Sequence, residues 1–300
     1  MNTKTSRLLT SRSGWARFLR HPIVRVVLAS FCVALAAGLA YSLAEAVAPK
    51  SARIMWPHLM AASAVMLAYW LYVRVFEGRR LTEFALRGAA AELAAGCAIG
   101  AAAVMAVLAV LYAGGSYHPL TLNRWSIAIV APLAEMVFVG VFEEVLCRAI
   151  IFRIVERSFG SRAALALSAL LFGLAHIPGG NLGVLAFIVT MVAGLLFSGA
   201  FMLTRRLWLC IGIHAAWNYT LGSIFSISVS GRPSYGLVTG ALSGPEWLTG
   251  GAYGLEGSAV TLAVLGLLAA ALLQQAARKG QIVHQRAVRP GFASRSSPKC

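Results

Sequence analysis

Apolar runs of about 20 residues recur along this chain of 300 residues and constrain its fold more than any other feature. A helix needs a run of about that length to cross a bilayer. The chain is 59% hydrophobic and only 12% charged, which is far from the usage of soluble globular proteins. Eight candidate runs occur, at residues 24–47, 54–76, 90–113, 126–152, 163–177, 183–203, 207–226 and 257–277. The sequence therefore predicts an all-α, polytopic membrane protein of about eight transmembrane helices around a polar cavity.

The basic residues predict how these helices are oriented. Of 26 Lys and Arg residues, 22 fall in the two terminal segments and in alternate loops, and the other loops hold only Lys50, Arg53, Arg124 and Arg232. Because short cytoplasmic loops retain Lys and Arg, both termini are expected in the cytoplasm, next to anionic lipids of that leaflet. This distribution accounts for the net charge of +16, so no nucleic-acid partner is expected.

Two adjacent carboxylates lie inside the fourth apolar run. Glu144 and Arg148 are four residues apart with the acid first, the favourable order for an ion pair on a helix. Glu143 points about 100° away, and Gly140 one turn earlier is expected to leave open space beside it. A carboxylate near the bilayer centre costs at least a few kcal/mol. We therefore expect Arg148 to hold Glu144 and the freer Glu143 to act as a base on water.

Histidines occur in two further apolar runs. His176 ends the fifth run, and His214 begins the seventh, with Asn218 one turn later on the same face. At 1.5 Å per residue, Glu143, His214, Asn218 and His176 lie roughly 15, 12, 18 and 20 Å from the cytoplasmic side. The sequence therefore predicts one mid-membrane cavity, which we expect to open toward the cytoplasm.

Other readings of these polar residues remain open. Glu135 lies two turns before Glu143 on nearly the same face, and the sequence does not assign it a role. An ion-pair network could simply dock helices, and either histidine alone could be an interhelical polar contact.

These motifs, in this order, resemble those of the CAAX protease and bacteriocin-processing (CPBP, or Abi) family. The family pattern is Glu-Glu-x-x-x-Arg, Phe-x-x-x-His and His-x-x-x-Asn or Asp. It is matched by Glu143-Glu144-x-x-x-Arg148, Phe172-x-x-x-His176 and His214-x-x-x-Asn218. The resemblance covers about residues 126–225, and the stretch at 250–258 is also similar to bacterial members.

The resemblance implies an intramembrane endopeptidase that cuts a membrane-associated peptide or protein. Glu143 would activate water, while His214 and Asn218 would orient it or stabilise the oxyanion. His176 would do the same or bind a metal. A divalent metal such as zinc is left open, with Glu143, His176 and His214 as candidate ligands. A metal-free mechanism is favoured, because the spacing differs from the His-Glu-x-x-His zinc pattern.

Two other functions are carried as alternatives. One is a non-proteolytic membrane scaffold, such as an immunity or secretion accessory protein. The other is a proton-coupled transporter using the Glu and His side chains as a relay, although the sequence shows no inverted repeat.

The predicted organisation has five parts and a bacterial inner (plasma) membrane location. A CPBP-type catalytic core occupies the middle of the chain. The parts are a basic cytoplasmic tail at 1–23, three transmembrane helices at 24–125, the core at 126–226, an external loop and last helix at 227–277, and a basic cytoplasmic tail at 278–300.

Overall fold

The computed structural model describes residues 18, 19 and 21–284. Most of the two predicted basic tails therefore lies outside the described residues. The described chain is mainly helical, as predicted. Its α-helices are α1 (Pro22–Val47), α2 (Trp56–Val75), α3 (Ala89–Ala113), α4 (Ile127–Val130), α5 (Pro132–Glu144), α6 (Arg153–Ala175), α7 (Val184–Thr204), α8 (Trp208–Tyr219), α9 (Glu246–Thr249) and α10 (Ala259–Arg278).

The chain also contains π-helical and 3₁₀-helical segments. Two π-helical segments continue α-helices: π1 (Val145–Phe152) follows α5, and π2 (Thr220–Ile224) follows α8. Such π-helical segments occur frequently at functional sites. Turns of 3₁₀-helix lie at Lys50–Ala52, Ile177–Gly179, Gly251–Tyr253 and Leu255–Gly257.

Five helices are long and apolar enough to cross a membrane, namely α1, α2, α3, α7 and α10. They support an integral membrane protein, but the predicted count of eight spans is not confirmed. The other three predicted runs do not form single long apolar helices in the structure. Residues 126–152 form α4, α5 and π1, and residues 207–226 form α8 and π2. The run at 163–177 is the part of α6 that follows a kink at Gly160 (φ 83°).

Glycines bring α3 and α8 into direct backbone contact. A Cβ at Gly96 would lie 2.5 Å from the carbonyl oxygen of Leu209, and one at Gly212 would lie 2.5 Å from that of Leu93. Gly100, one turn after Gly96, meets the Ile213 backbone just as closely. Small residues at this spacing allow membrane helices to approach closely. This contact fixes α8, the helix that carries His214 and Asn218.

A two-stranded sheet covers one end of the bundle and was not predicted. Strand β1 (Tyr117–Leu122) pairs antiparallel with β2 (Val238–Leu242), with Tyr117 opposite Leu242 and an irregularity between Pro119 and Thr121. The side-chain nitrogen of Asn123 donates to Gly236 O at 2.8 Å and to Thr239 Oγ1 at 2.8 Å. The all-α prediction remains consistent with the structure, which adds one small sheet in the predicted external segments.

Ion pairs cover the opposite end of the bundle. Glu77 pairs with Arg25, Arg79 and Arg153, which joins the ends of α1, α2 and α6. The other pairs at this end are Arg79 with Glu83, Arg153 with Glu83, Arg205 with Glu156, and Arg206 with Glu92. We call these paired residues the arginine-rich face. It lies at the end that the sequence assigns to the cytoplasm.

Candidate active site

A cavity of about 670 Å³ lies among α5, α6, α7 and α8. Its lining includes Glu143, His176, His214 and Asn218, the four side chains that the sequence places at one depth. The structure therefore brings these residues together from three separate helical segments.

Glu144 and Arg148 lie behind the cavity wall and are completely buried. Arg148 Nη1 donates to Glu144 Oε1 at 3.2 Å, and both side chains are 0% exposed. The guanidinium also donates through Nη2 to Gly194 O at 3.1 Å and lies over the rings of Phe172 and Phe197 at 4.6 and 4.9 Å. Charge neutralisation, a carbonyl acceptor and two aromatic faces together stabilise a guanidinium in an apolar interior.

His214 lies between the two glutamates. Its Nδ1 is 2.9 Å from Glu144 Oε1, and its Nε2 is 3.8 Å from Glu143 Oε2. The imidazole stacks on Phe197 with ring centroids 4.8 Å apart. With Nδ1 next to the Glu144 carboxylate, Nε2 is the ring nitrogen that faces Glu143.

Glu143 differs from its neighbour in its surroundings. Its side chain is 28% exposed and lines the cavity, and its buried Oε2 has no hydrogen-bond partner among the described residues. The space expected beside Gly140 is filled by α8, because a Cβ at Gly140 would lie 3.6 Å from Ala215 Cβ. The open space beside Glu143 is therefore the cavity, and not a gap next to Gly140.

His176 and Asn218 present polar groups to the same cavity. Phe172 O accepts a hydrogen bond from His176 Nδ1–H at 2.7 Å, so that Nε2 is the ring nitrogen left for another partner. Asn218 is buried, lines the cavity, and its amide makes no hydrogen bond to any residue in the described part of the chain. Both side chains therefore retain hydrogen-bonding capacity for a bound group.

The geometry does not supply a metal-ligand set. No three His, Cys, Asp or Glu side chains within residues 21–284 are grouped so that they could hold a metal ion. His214 already bonds Glu144 through Nδ1, and only Glu143 lies near its Nε2.

Sequence reasoning missed one carboxylate in the cavity lining. Glu256 lines it, accepts a hydrogen bond from Trp217 Nε1 at 3.1 Å, and also accepts from the backbone N–H of Ser230. It therefore ties α8 to the loop before β2. The only sequence signal was the similarity of residues 250–258 to bacterial family members. Glu135 also lines the cavity.

The cavity is open at the end away from the arginine-rich face. Its exposed lining residues are Ala128, Ala175, Pro178, Gly179, Arg232, Pro233 and Tyr235. Its other end is closed by buried Cys147, Leu196, Phe197 and Ile213. The predicted topology and the predicted cytoplasmic opening are therefore incompatible, because the mouth lies on the face that the charges assign to the outside.

Residues 124–220 match the family model described as type II CAAX prenyl endopeptidase Rce1-like. This segment is a domain of the CAAX protease (CPBP) family. It contains the Glu-Glu-x-x-x-Arg motif, both histidines and Asn218. The Rce1-like domain supports an endopeptidase function at a membrane and a membrane-associated peptide as its class of substrate. No curated protein and no solved structure matches the chain significantly.

Proposed function

We propose that this protein is an intramembrane endopeptidase that hydrolyses a peptide bond with a water activated by Glu143. The observation that carries the proposal is the position of Glu143 Oε2, which is 3.8 Å from His214 Nε2 in the wall of a closed-ended cavity. A water bonded to both atoms would complete a triangle with legs of about 2.8 Å. The Rce1-like domain supports the same class of reaction.

In the proposed reaction Glu143 is the general base. The water oxygen bonds to the carbonyl carbon of the substrate while its proton passes to the Glu143 carboxylate. The carbon–nitrogen bond then breaks as Glu143 returns that proton to the leaving amine. His214 holds the attacking water through Nε2, and Glu144 with Arg148 keeps the imidazole in position.

Asn218 and His176 are proposed to stabilise the oxyanion. The side-chain N–H of Asn218 is a donor in the cavity wall, of the kind that stabilises a tetrahedral intermediate. His176, whose Nδ1–H donates to Phe172 O, would donate to the oxyanion through Nε2 as an imidazolium. A fixed donor in a site that excludes water is worth about 3 kcal/mol in transition-state stability. We favour the metal-free form of the reaction, because the charges and donors above supply each step.

The scaffold alternative is separated from the protease by one substitution. Glu143→Gln keeps the size and polarity of the side chain but removes the base, so a scaffold would retain its cellular effect. The control is Glu45→Gln, because Glu45 is 71% exposed on α1 and lies outside the cavity.

The test compares membrane peptides from cells that carry the wild type, Glu143→Gln or Glu45→Gln at equal protein levels. We expect the wild type and Glu45→Gln to release the same peptides and Glu143→Gln to release none of them. Unchanged peptides with Glu143→Gln would contradict the proposal and favour the scaffold or the proton-coupled transporter.

The remaining details are proposed on the sequence. The charge distribution supports eight spans and cytoplasmic termini. The similarity of residues 250–258 to bacterial family members supports a bacterial inner membrane. The five-part organisation, with a catalytic core at 126–226, is proposed on the same grounds.

A further inference from the structure

The mouth of the cavity is built by an ordered loop. Val229 and Arg232 form a bridge, and Ser230 and Gly231 between them have φ values of 49° and 78°. Glu256 accepts hydrogen bonds from both the backbone N–H and the hydroxyl of Ser230. Because this turn is held by a half-buried carboxylate, the mouth is a fixed feature of the fold.

Charge identifies the membrane face on which this mouth lies. The arginine-rich face, at the closed end, belongs to the segments that hold 22 of the 26 Lys and Arg residues. The segments at the mouth hold only four, of which Arg232 lines the cavity. Positive charge is retained on the cytoplasmic side, so the closed end faces the cytoplasm and the mouth faces the outside.

We infer that the substrate is a polypeptide segment that enters the cavity from the non-cytoplasmic face of the membrane. The side of entry is inferred from the geometry and the charge distribution. That the entering segment is also cleaved rests on the proposed function. The substrate class is therefore a translocated segment, such as an external loop or tail of a membrane-bound chain, and excludes cytoplasmic tails.

The depth of Glu143 sets the length of the segment. Pro132 begins α5 at the mouth side and Glu143 lies 11 residues further, which corresponds to roughly 16 Å along the helix. An extended chain covers about 3.3 Å per residue, so about five unfolded residues are needed to bring a peptide bond to Glu143. In a substrate that is folded up to its cleavage site, the peptide bond would not reach Glu143.

Thiol labelling tests the side of access without requiring activity. In full-length protein with Cys32, Cys97 and Cys300 replaced by Ser and Cys147 and Cys210 replaced by Ala, Ser234→Cys places a thiol at the mouth and Ala193→Cys places one inside the cavity. Ser158→Cys is the control, because Ser158 is exposed on α6 before the kink, next to the arginine-rich face. A membrane-impermeant charged methanethiosulfonate is applied to intact cells and to inside-out membrane vesicles.

We expect Ser234→Cys and Ala193→Cys to react at least tenfold faster in intact cells, and Ser158→Cys to react at least tenfold faster in inside-out vesicles. Reaction of the two cavity thiols from the vesicle side would overturn the inference, whether or not the protein is a protease. Cleavage sites absent in Glu143→Gln cells should also map to non-cytoplasmic segments. Sites confined to cytoplasmic tails would overturn the inference and leave the proposed function standing.

Discussion

His214 Nδ1 lies 2.9 Å from Glu144 Oε1, the same oxygen that accepts from Arg148 Nη1 at 3.2 Å. One carboxylate oxygen on α5 thus joins the imidazole of α8 to the guanidinium of π1. This arrangement gives the two adjacent glutamates different surroundings. Glu144 is enclosed and holds other groups in place, whereas Glu143 lines the cavity.

Substitution of the two glutamates should have different consequences. Glu144→Ala leaves Arg148 buried without its counter-charge, and breaking a buried pair in this way typically costs about 3–5 kcal/mol. Glu143→Ala removes a partly exposed carboxylate that has no ion-pair partner except the nearby imidazole. We expect Glu144→Ala to reduce folded protein in membranes strongly, and Glu143→Ala to accumulate near the wild-type level without activity.

Quantitative detection of membrane-extracted protein, followed by thermal unfolding in detergent, measures this difference. Arg148→Met combined with Glu144→Met is the control, because it removes both charges and should recover part of the loss. Equal loss of folded protein in the two single variants would contradict the division of roles.

The sequence predicted the helices because a membrane span must satisfy its own backbone hydrogen bonds and therefore needs a long apolar run. Motif spacing likewise predicted the cavity residues, since residues four apart share a helical face. The bond of His214 to Glu144 rather than Glu143 was not predictable, because it depends on how α8 lies against α5. The pairing of β1 with β2 was missed because it joins residues that are distant in sequence.

Close packing of α3 on α8 predicts that Gly96 tolerates no larger side chain. Gly96→Leu places atoms against the Leu209 carbonyl and must push α8 away, which displaces His214 and Asn218. We expect a loss of more than half of the folded protein, and of nearly all activity in the remainder. Gly38→Leu is the control, since a Cβ there has nothing within 4 Å. Size-exclusion profiles and peptide release measure both effects, and wild-type behaviour of Gly96→Leu would exclude this role.

The ion pairs of the arginine-rich face should contribute less to the free energy of unfolding in acid. Burial alone would raise the pKa of Glu77, but the hydrogen bonds and charges of Arg153 and Arg79 lower it from 4.5 to about 2. Because the folded-state pKa lies below that of the unfolded chain, the ionised form stabilises the fold above about pH 4.5, and this contribution is lost as the pH falls toward 2. Glu77→Gln cannot titrate and should show a smaller decrease.

Thermal unfolding in detergent between about pH 6 and pH 3 measures this contribution, which extends over the interval between the two pKa values. At the upper pH Glu77→Gln should already unfold at a lower temperature than the wild type, since it lacks the charge that three arginines contact. The two curves should approach each other as the pH falls. Parallel curves would show that Glu77 does not carry the acid sensitivity.

Glu256 should control activity from the mouth of the cavity. Glu256→Ala removes the acceptor of Trp217 Nε1 and of the Ser230 backbone N–H, so the turn at the mouth loses its attachment to α8. The helices beneath keep their contacts, and we expect near-normal accumulation with peptide release reduced about tenfold. Glu246→Ala is the matched control, because Glu246 is exposed on α9 and does not line the cavity. If Glu256→Ala releases peptides at the wild-type rate, the ordered turn is not required for access to Glu143.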